Sequence, residues 1–86
     1  MSLKIEIYTT ARCPYCIKAK ALLDQKGVKY TEIHVDQEEE KFREMLKRSN
    51  GLRTVPQIFI NDYGIGGFDA LWKLEQKKQL DALFTC

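Results

Sequence analysis

An alternating apolar run, Ile5-Glu6-Ile7-Tyr8, is followed within a few residues by Cys13-Pro14-Tyr15-Cys16, and this pair of cysteines opens into a stretch of strong helix formers. The alternation is that of a half-buried strand. From Pro14 to Lys26 the chain reads as a helix. Ala19, Leu22 and Leu23 take the i, i+3, i+4 spacing of one buried face, and Gly27 suits the C-terminal stop. Val28 to Val35 reads as a second strand, with Val28, Tyr30, Ile33 and Val35 inward. Strands joined through a helix pair in parallel with a right-handed crossover. The two thiols are therefore fixed at a strand-to-helix turn, where the first backbone N–H groups of the helix lack partners.

The rest of the chain completes a small sheet. Asp36 is expected to cap a second helix over Glu38 to Ser49, with Phe42, Met45 and Leu46 as its apolar stripe. Acidic Glu38, Glu39 and Glu40 at its start and basic Lys47 and Arg48 at its end match the helix dipole, and Asn50-Gly51 stops it. Thr54 to Ile60 reads as a third strand interrupted near its start by Pro56. Asn61-Asp62-Tyr63-Gly64 is a turn, and Tyr63 to Ile65 a short fourth strand. A last helical region carries Phe68, Leu71 and Trp72, then Leu80, Leu83 and Phe84, with Leu71 and Trp72 expected in the core. The order β-α-β-α-β-β-α predicts one α/β domain over residues 1–86, a four-stranded mixed sheet with helices on both faces.

Charge and cysteine count narrow the function. With 14 basic and 12 acidic residues the net charge is +2, too balanced for a nucleic-acid or membrane footprint. No apolar run approaches the ~18 residues that span a bilayer. Met1-Ser2-Leu3-Lys4 has no signal-peptide core, so a cytoplasmic, reducing setting is expected, where a disulfide is transient and catalytic. Three cysteines are an odd number and too few for a disulfide scaffold. A zinc site would need four ligands, and only Cys13, Cys16, Cys86 and His34 are available, so no metal is expected. His34 reads as a solvated strand residue, Glu38 to Lys41 as a solvated helix face, and terminal Cys86 as a site of adventitious oxidation.

Three motifs, Cys13-Pro14-Tyr15-Cys16, Thr54-Val55-Pro56 and Gly66-Gly67-Phe68-Asp69, occur in an order and spacing that resembles the dithiol glutaredoxins of the thioredoxin-fold superfamily. The likeness covers nearly the whole chain. The Trp-Cys-Gly-Pro-Cys of a thioredoxin is absent, and Cys16 stands where the monothiol type has serine.

The resemblance implies a glutathione-dependent thiol–disulfide oxidoreductase. Cys13 would be the nucleophile, its thiolate favoured by the helix N-terminus and by nearby Arg12. A stabilised thiolate gains little as an attacker, because nucleophilicity falls with basicity, but it gains as a leaving group. Cys16 would be the resolving thiol. Val55-Pro56 is expected to be cis, with the Val55 backbone pairing an extended thiol peptide. By the same resemblance, glutathione docks against Arg12, Tyr15, Thr54, Val55, Pro56, Gly67, Phe68 and Asp69, with its γ-glutamyl carboxylate at Phe68 and Asp69. Glutathione is then a co-substrate, and no cofactor is bound. Disulfide-containing or glutathionylated proteins, ribonucleotide reductase among them, are the implied partners of a monomer.

Two positions depart from the family pattern. Thr10 stands where a lysine often meets a glutathione carboxylate, with Arg12 or Arg53 as the substitute cation. Ala70 stands where an aspartate often meets the glutathione ammonium. Weaker glutathione binding is expected. Two rival readings stay open here: a glutaredoxin-like protein reduced by thioredoxin reductase, and a binding module whose dithiol holds a metal or a bridging iron–sulfur cluster with glutathione.

Overall fold

The computed structural model describes residues 3–84; Cys86 and the first two residues lie outside the described residues. Eight elements follow one another: β1 (Ile5–Thr9), α1 (Pro14–Gln25), β2 (Thr31–His34), α2 (Glu39–Arg48), β3 (Gln57–Ile60), β4 (Tyr63–Gly66), α3 (Phe68–Gln76) and α4 (Leu80–Phe84). The strands form one mixed sheet in the order β2-β1-β3-β4. β1 pairs in parallel with β2 and antiparallel with β3, and β3 pairs antiparallel with β4.

The alternation of β1 sends its residues to two separate cores. Ile5 and Ile7, with Ile58 and Ile60 of β3, pack under Ala19, Leu22 and Leu23 of α1, Leu71 of α3 and Leu80 of α4. Tyr8 and Phe59, on the other face, pack with Val35 and with Met45 of α2. Three helices therefore cover one face and a single helix the other.

Several boundaries differ from the sequence expectation, each for a local reason. β2 begins only at Thr31; Val28 and Tyr30 pack inward from the preceding loop. β3 begins at Gln57, because Gln57 Nε2 donates to the Thr54 carbonyl at 2.9 Å and to Thr54 Oγ1 at 3.1 Å, closing residues 54–57 into a turn. Asp36 does not cap α2. Its Oδ2 accepts the Ala11 N–H at 2.9 Å, and Glu38 occupies the cap position without a side-chain bond. The last helical region is two helices, broken at Lys78, whose φ is +57°.

Trp72 is not core. Leu71 is fully buried, but Trp72 is 43% exposed. It lies four residues after Phe68 on α3, so the two rings are neighbours on the helix surface. They stack with centroids 6.1 Å apart.

Candidate active site

Cys13 is the N-cap of α1 and Pro14 its first residue, where the missing proline N–H costs no hydrogen bond. The Cys16 backbone N–H donates to Cys13 Sγ at 3.1 Å. The sulfur thus stands where an ordinary N-cap places a side-chain oxygen, taking up one of the free N–H groups at the start of α1. On its other side, Cys13 Sγ lies 3.5 Å from the Val55 carbonyl oxygen. The Val55-Pro56 peptide is cis.

Exposure separates the two sulfurs. Cys13 is 8% exposed and Cys16 only 1%, and both are free thiols. A disulfide arriving from solvent meets Cys13 first. Burial, and then the neighbouring Cys13, push the Cys16 thiol well above its ordinary value, so it stays protonated at neutral pH.

A groove of about 450 Å³ adjoins Cys13 through Val55 and is lined by Tyr15, Thr54, Val55, Pro56, Gly67, Phe68, Asp69 and Ala70. Seven of the eight docking residues expected from the sequence thus share one surface. Arg12 is exposed and lies outside that lining, as does Arg53. Gly66, at the end of β4, turns the chain toward α3 with φ at +113°, a left-handed conformation that glycine tolerates and other residues rarely adopt. Gly67 then caps α3, and its backbone passes so close to Pro56 that an added Cβ would lie 3.4 Å from the Pro56 carbonyl oxygen. The start of α3 and the cis-proline turn come close together in the groove lining. Tyr15 stacks on Phe68 at 6.2 Å, so two aromatic rings line the groove, and Trp72 stacks behind Phe68 outside the lining.

Sequence reasoning missed three contributors. Asp36 holds the Ala11 amide and so fixes the loop entering Cys13. Trp72 stacks behind Phe68. Under α1, Lys20 and Thr9 both bond Glu32 Oε2, each at 2.8 Å. Long-range pairing produces the first and third, and no local motif signals them. The i, i+4 spacing of Phe68 and Trp72 was the available signal for the second. Among the described residues, no cluster of three or more His, Cys, Asp or Glu side chains is arranged to hold a metal ion. No helix there is long and apolar enough to cross a membrane.

The buried thiol has a consequence for stability. Burial and Glu44 also push the Tyr8 phenol up, to about 12. An unfolded chain loses these protons near pH 8.5 for cysteine and about 10 for tyrosine, while the folded chain keeps both. Unfolding therefore releases protons above about pH 9, and stability falls as pH rises through that range. Each group contributes up to about 1.4 kcal/mol per pH unit between its unfolded and folded values. Urea unfolding of the reduced protein at pH 8 and pH 10.5 should show this loss, with a shallower fall in Cys16→Ser. Equal slopes in the two proteins would refute the assignment to Cys16.

The glutaredoxin family profile matches residues 5–65. A probable glutaredoxin of Synechocystis is 52% identical over 82 residues, covering 95% of this chain and 75% of that protein. Glutaredoxin 3 of Escherichia coli K12 is 52% identical over 79 residues, covering 92% and 94%. Among solved structures, the buckwheat glutaredoxin–glutathione complex superposes with a TM-score of 0.86 at 30% identity, covering 96% of this chain and 77% of that one. The solution structure of glutaredoxin from Brucella melitensis gives 0.80 at 45% identity, covering 93% and 86%. The sheet order and helix placement are those of the thioredoxin fold.

Proposed function

The chain belongs to the glutaredoxin family, and from that membership we propose that it uses glutathione to reduce protein disulfides and glutathione mixed disulfides. At the coarser level it is a thiol–disulfide oxidoreductase. The observation that carries the finer reading is a reachable Cys13 sulfur beside a groove between the cis-proline turn and the start of α3. The groove volume suits a small peptide. The buckwheat relative, similar over 96% of this chain, was solved with glutathione.

The reaction runs in two displacements. Cys13 sulfur bonds to one sulfur of the substrate disulfide, and the other sulfur leaves as a thiolate that takes up a proton. A glutathione thiolate then bonds to the substrate-side sulfur of the mixed disulfide and Cys13 leaves as a thiolate, or Cys16 bonds to the Cys13 sulfur and the substrate sulfur leaves as a thiolate. Where Cys16 acts, the product is a Cys13–Cys16 disulfide, and two glutathione molecules return it to the dithiol while forming glutathione disulfide. The electrons come from glutathione throughout. Disulfide-containing or glutathionylated proteins, with ribonucleotide reductase in that class, are the proposed partners of a cytoplasmic monomer.

Tyr15 and Phe68 offer apolar surface to the peptide, and Gly67, Phe68 and Asp69 offer the α3 N-terminus to a carboxylate. Ala70 also lines the groove, where a carboxylate would meet the glutathione ammonium. The test is turnover of a glutathionylated peptide with glutathione as the only reductant. Ala70→Asp should lower the KM for glutathione by up to about fivefold, the worth of one partly exposed ion pair. No glutathione-dependent turnover in the parent protein would refute the proposal. An unchanged KM in Ala70→Asp would refute the docking orientation.

A further inference from the structure

The glutathione reading leaves one polar cluster beside the dithiol without a role. Thr9, fully buried at the end of β1, donates Oγ1 to Glu32 Oε2 at 2.8 Å. The Lys20 ammonium donates to the same oxygen at 2.8 Å. Lysine heads normally extend into water. Here the head is drawn back under α1 by a carboxylate on the edge strand β2, and the Lys20 and Glu32 side chains are only 29% and 24% exposed. Lys20 lies four residues after Cys16, on the same face of α1 and one turn further on. The cluster thus holds a fixed cation one turn from a thiol that is 1% exposed.

We propose that Lys20, held by Glu32 and Thr9, is a positioning residue that favours the thiolate of Cys16 during the resolving step. The proposal rests on Cys16 acting as the resolving thiol. In that step Cys16 loses its proton to water or to the departing thiolate. Its sulfur bonds to Cys13 sulfur, the bond between Cys13 and the substrate breaks, and the substrate sulfur leaves with the electron pair. Negative charge passes through a site with almost no solvent, where burial opposes it most, and the Thr10 backbone bond and then the Lys20 charge work the other way. The other charged or titratable groups nearby are Cys13 on α1, His34 with Nε2 3.9 Å from Glu32 Oε1, and Asp36 on the Ala11 amide. Glu32 lies 2.8 Å from the ammonium and offsets part of its charge, and Lys20 is the member of the pair that acts on the Cys16 thiol. Cys13 attacks from the helix N-terminus, so the first displacement does not draw on Lys20.

The test separates the two displacements without glutathione. A symmetrical aromatic disulfide that releases a coloured thiolate is mixed with excess reduced enzyme, and colour is followed in a single turnover. The first release reports Cys13 and the second Cys16. Lys20→Gln should leave the first phase unchanged and slow the second about two- to fivefold, as for one partly screened and paired charge removed. The pH at which the second phase reaches half its limiting rate should move upward. Lys20→Arg should restore most of the rate. Glu32→Gln keeps the ammonium but weakens its tether, and should slow the second phase less; it carries the same readout if Lys20→Gln folds poorly. A second phase unchanged in rate and pH profile in both variants would overturn the proposal and leave Lys20 a structural tie. Equal slowing of both phases would also overturn it. Loss of the second release in the parent enzyme would overturn the proposal together with Cys16's role. Two normal releases without any glutathione turnover would overturn the glutathione reading alone.

Discussion

Replacing Cys13 by serine is expected to reduce turnover of glutathionylated and disulfide substrates to background, a loss on the order of a thousandfold or more. The hydroxyl keeps the N-cap, since serine accepts a helix N–H well, so α1 and the fold should survive. What disappears is the sulfur at the groove end, 3.5 Å from the Val55 carbonyl oxygen. Cys16 cannot substitute, because it is 1% exposed and its thiol is held protonated by burial. Cys16→Ser should behave differently. Glutathione from solution can still release a glutathionyl group from Cys13, so that activity should stay within about threefold of the parent. Reduction of a protein disulfide needs a second thiol in place, and it should fall at least about a hundredfold. Parallel assays on a glutathionylated peptide and on a disulfide-bonded protein check both claims. Full activity in Cys13→Ser would remove it as the nucleophile, and equal losses in both assays for Cys16→Ser would remove its separate resolving role.

The split between what the sequence reveals and what it conceals follows the range of the interactions. Cys13 at a strand-to-helix turn is legible because strand alternation, a cysteine pair, proline at the first helical position and Ala19-Leu22-Leu23 are all local signals. The cis-proline turn and the glycine pair before α3 are legible as motifs, and the fold brings Pro56 and Gly67 close together in the groove lining. Asp36 misled because a short acidic residue before a helix is a good cap by pattern. The sheet brings its end of the chain beside Ala11, and the Ala11 amide takes the carboxylate instead. The break between α3 and α4 was hidden because Lys78, not glycine, adopts the positive φ. Thr9, Lys20 and Glu32 meet only through the β1–β2 register and the crossover of α1. None of the three stands out in its own segment.

The largest loss of stability from a residue remote from the groove is expected at Arg48, which links α2 to the far face of the sheet. Its Nη1 donates to the Tyr8 hydroxyl at 2.8 Å and its Nη2 to Glu6 Oε1 at 3.0 Å, while Tyr8 donates onward to Glu44 at 2.5 Å. Its guanidinium also lies over the Phe59 ring, 4.1 Å from the centroid. Asp62 is a further partner at 3.2 Å, but with its side chain 75% exposed it adds little. The Glu6 side chain is only 14% exposed, so Arg48→Ala leaves a partly desolvated carboxylate without its cation. It also removes one bond from a fully buried phenol and uncovers an aromatic face. These losses total about 2–3 kcal/mol, after discounting a fully buried pair for the solvent that remains. In a domain of this size the melting temperature should fall by roughly 10–20 °C. Much of the cost comes from the abandoned carboxylate, so adding Glu6→Gln to Arg48→Ala should recover part of it. Below the melting transition, turnover per folded molecule should match the parent, because Arg48 anchors α2 and the dithiol is carried by α1 on the opposite face. Thermal unfolding of the single and double variants checks the ordering. A melting temperature for Arg48→Ala within about 3 °C of the parent would show that the network contributes less than 1 kcal/mol, leaving the Tyr8–Phe59–Met45 packing to hold α2 in place.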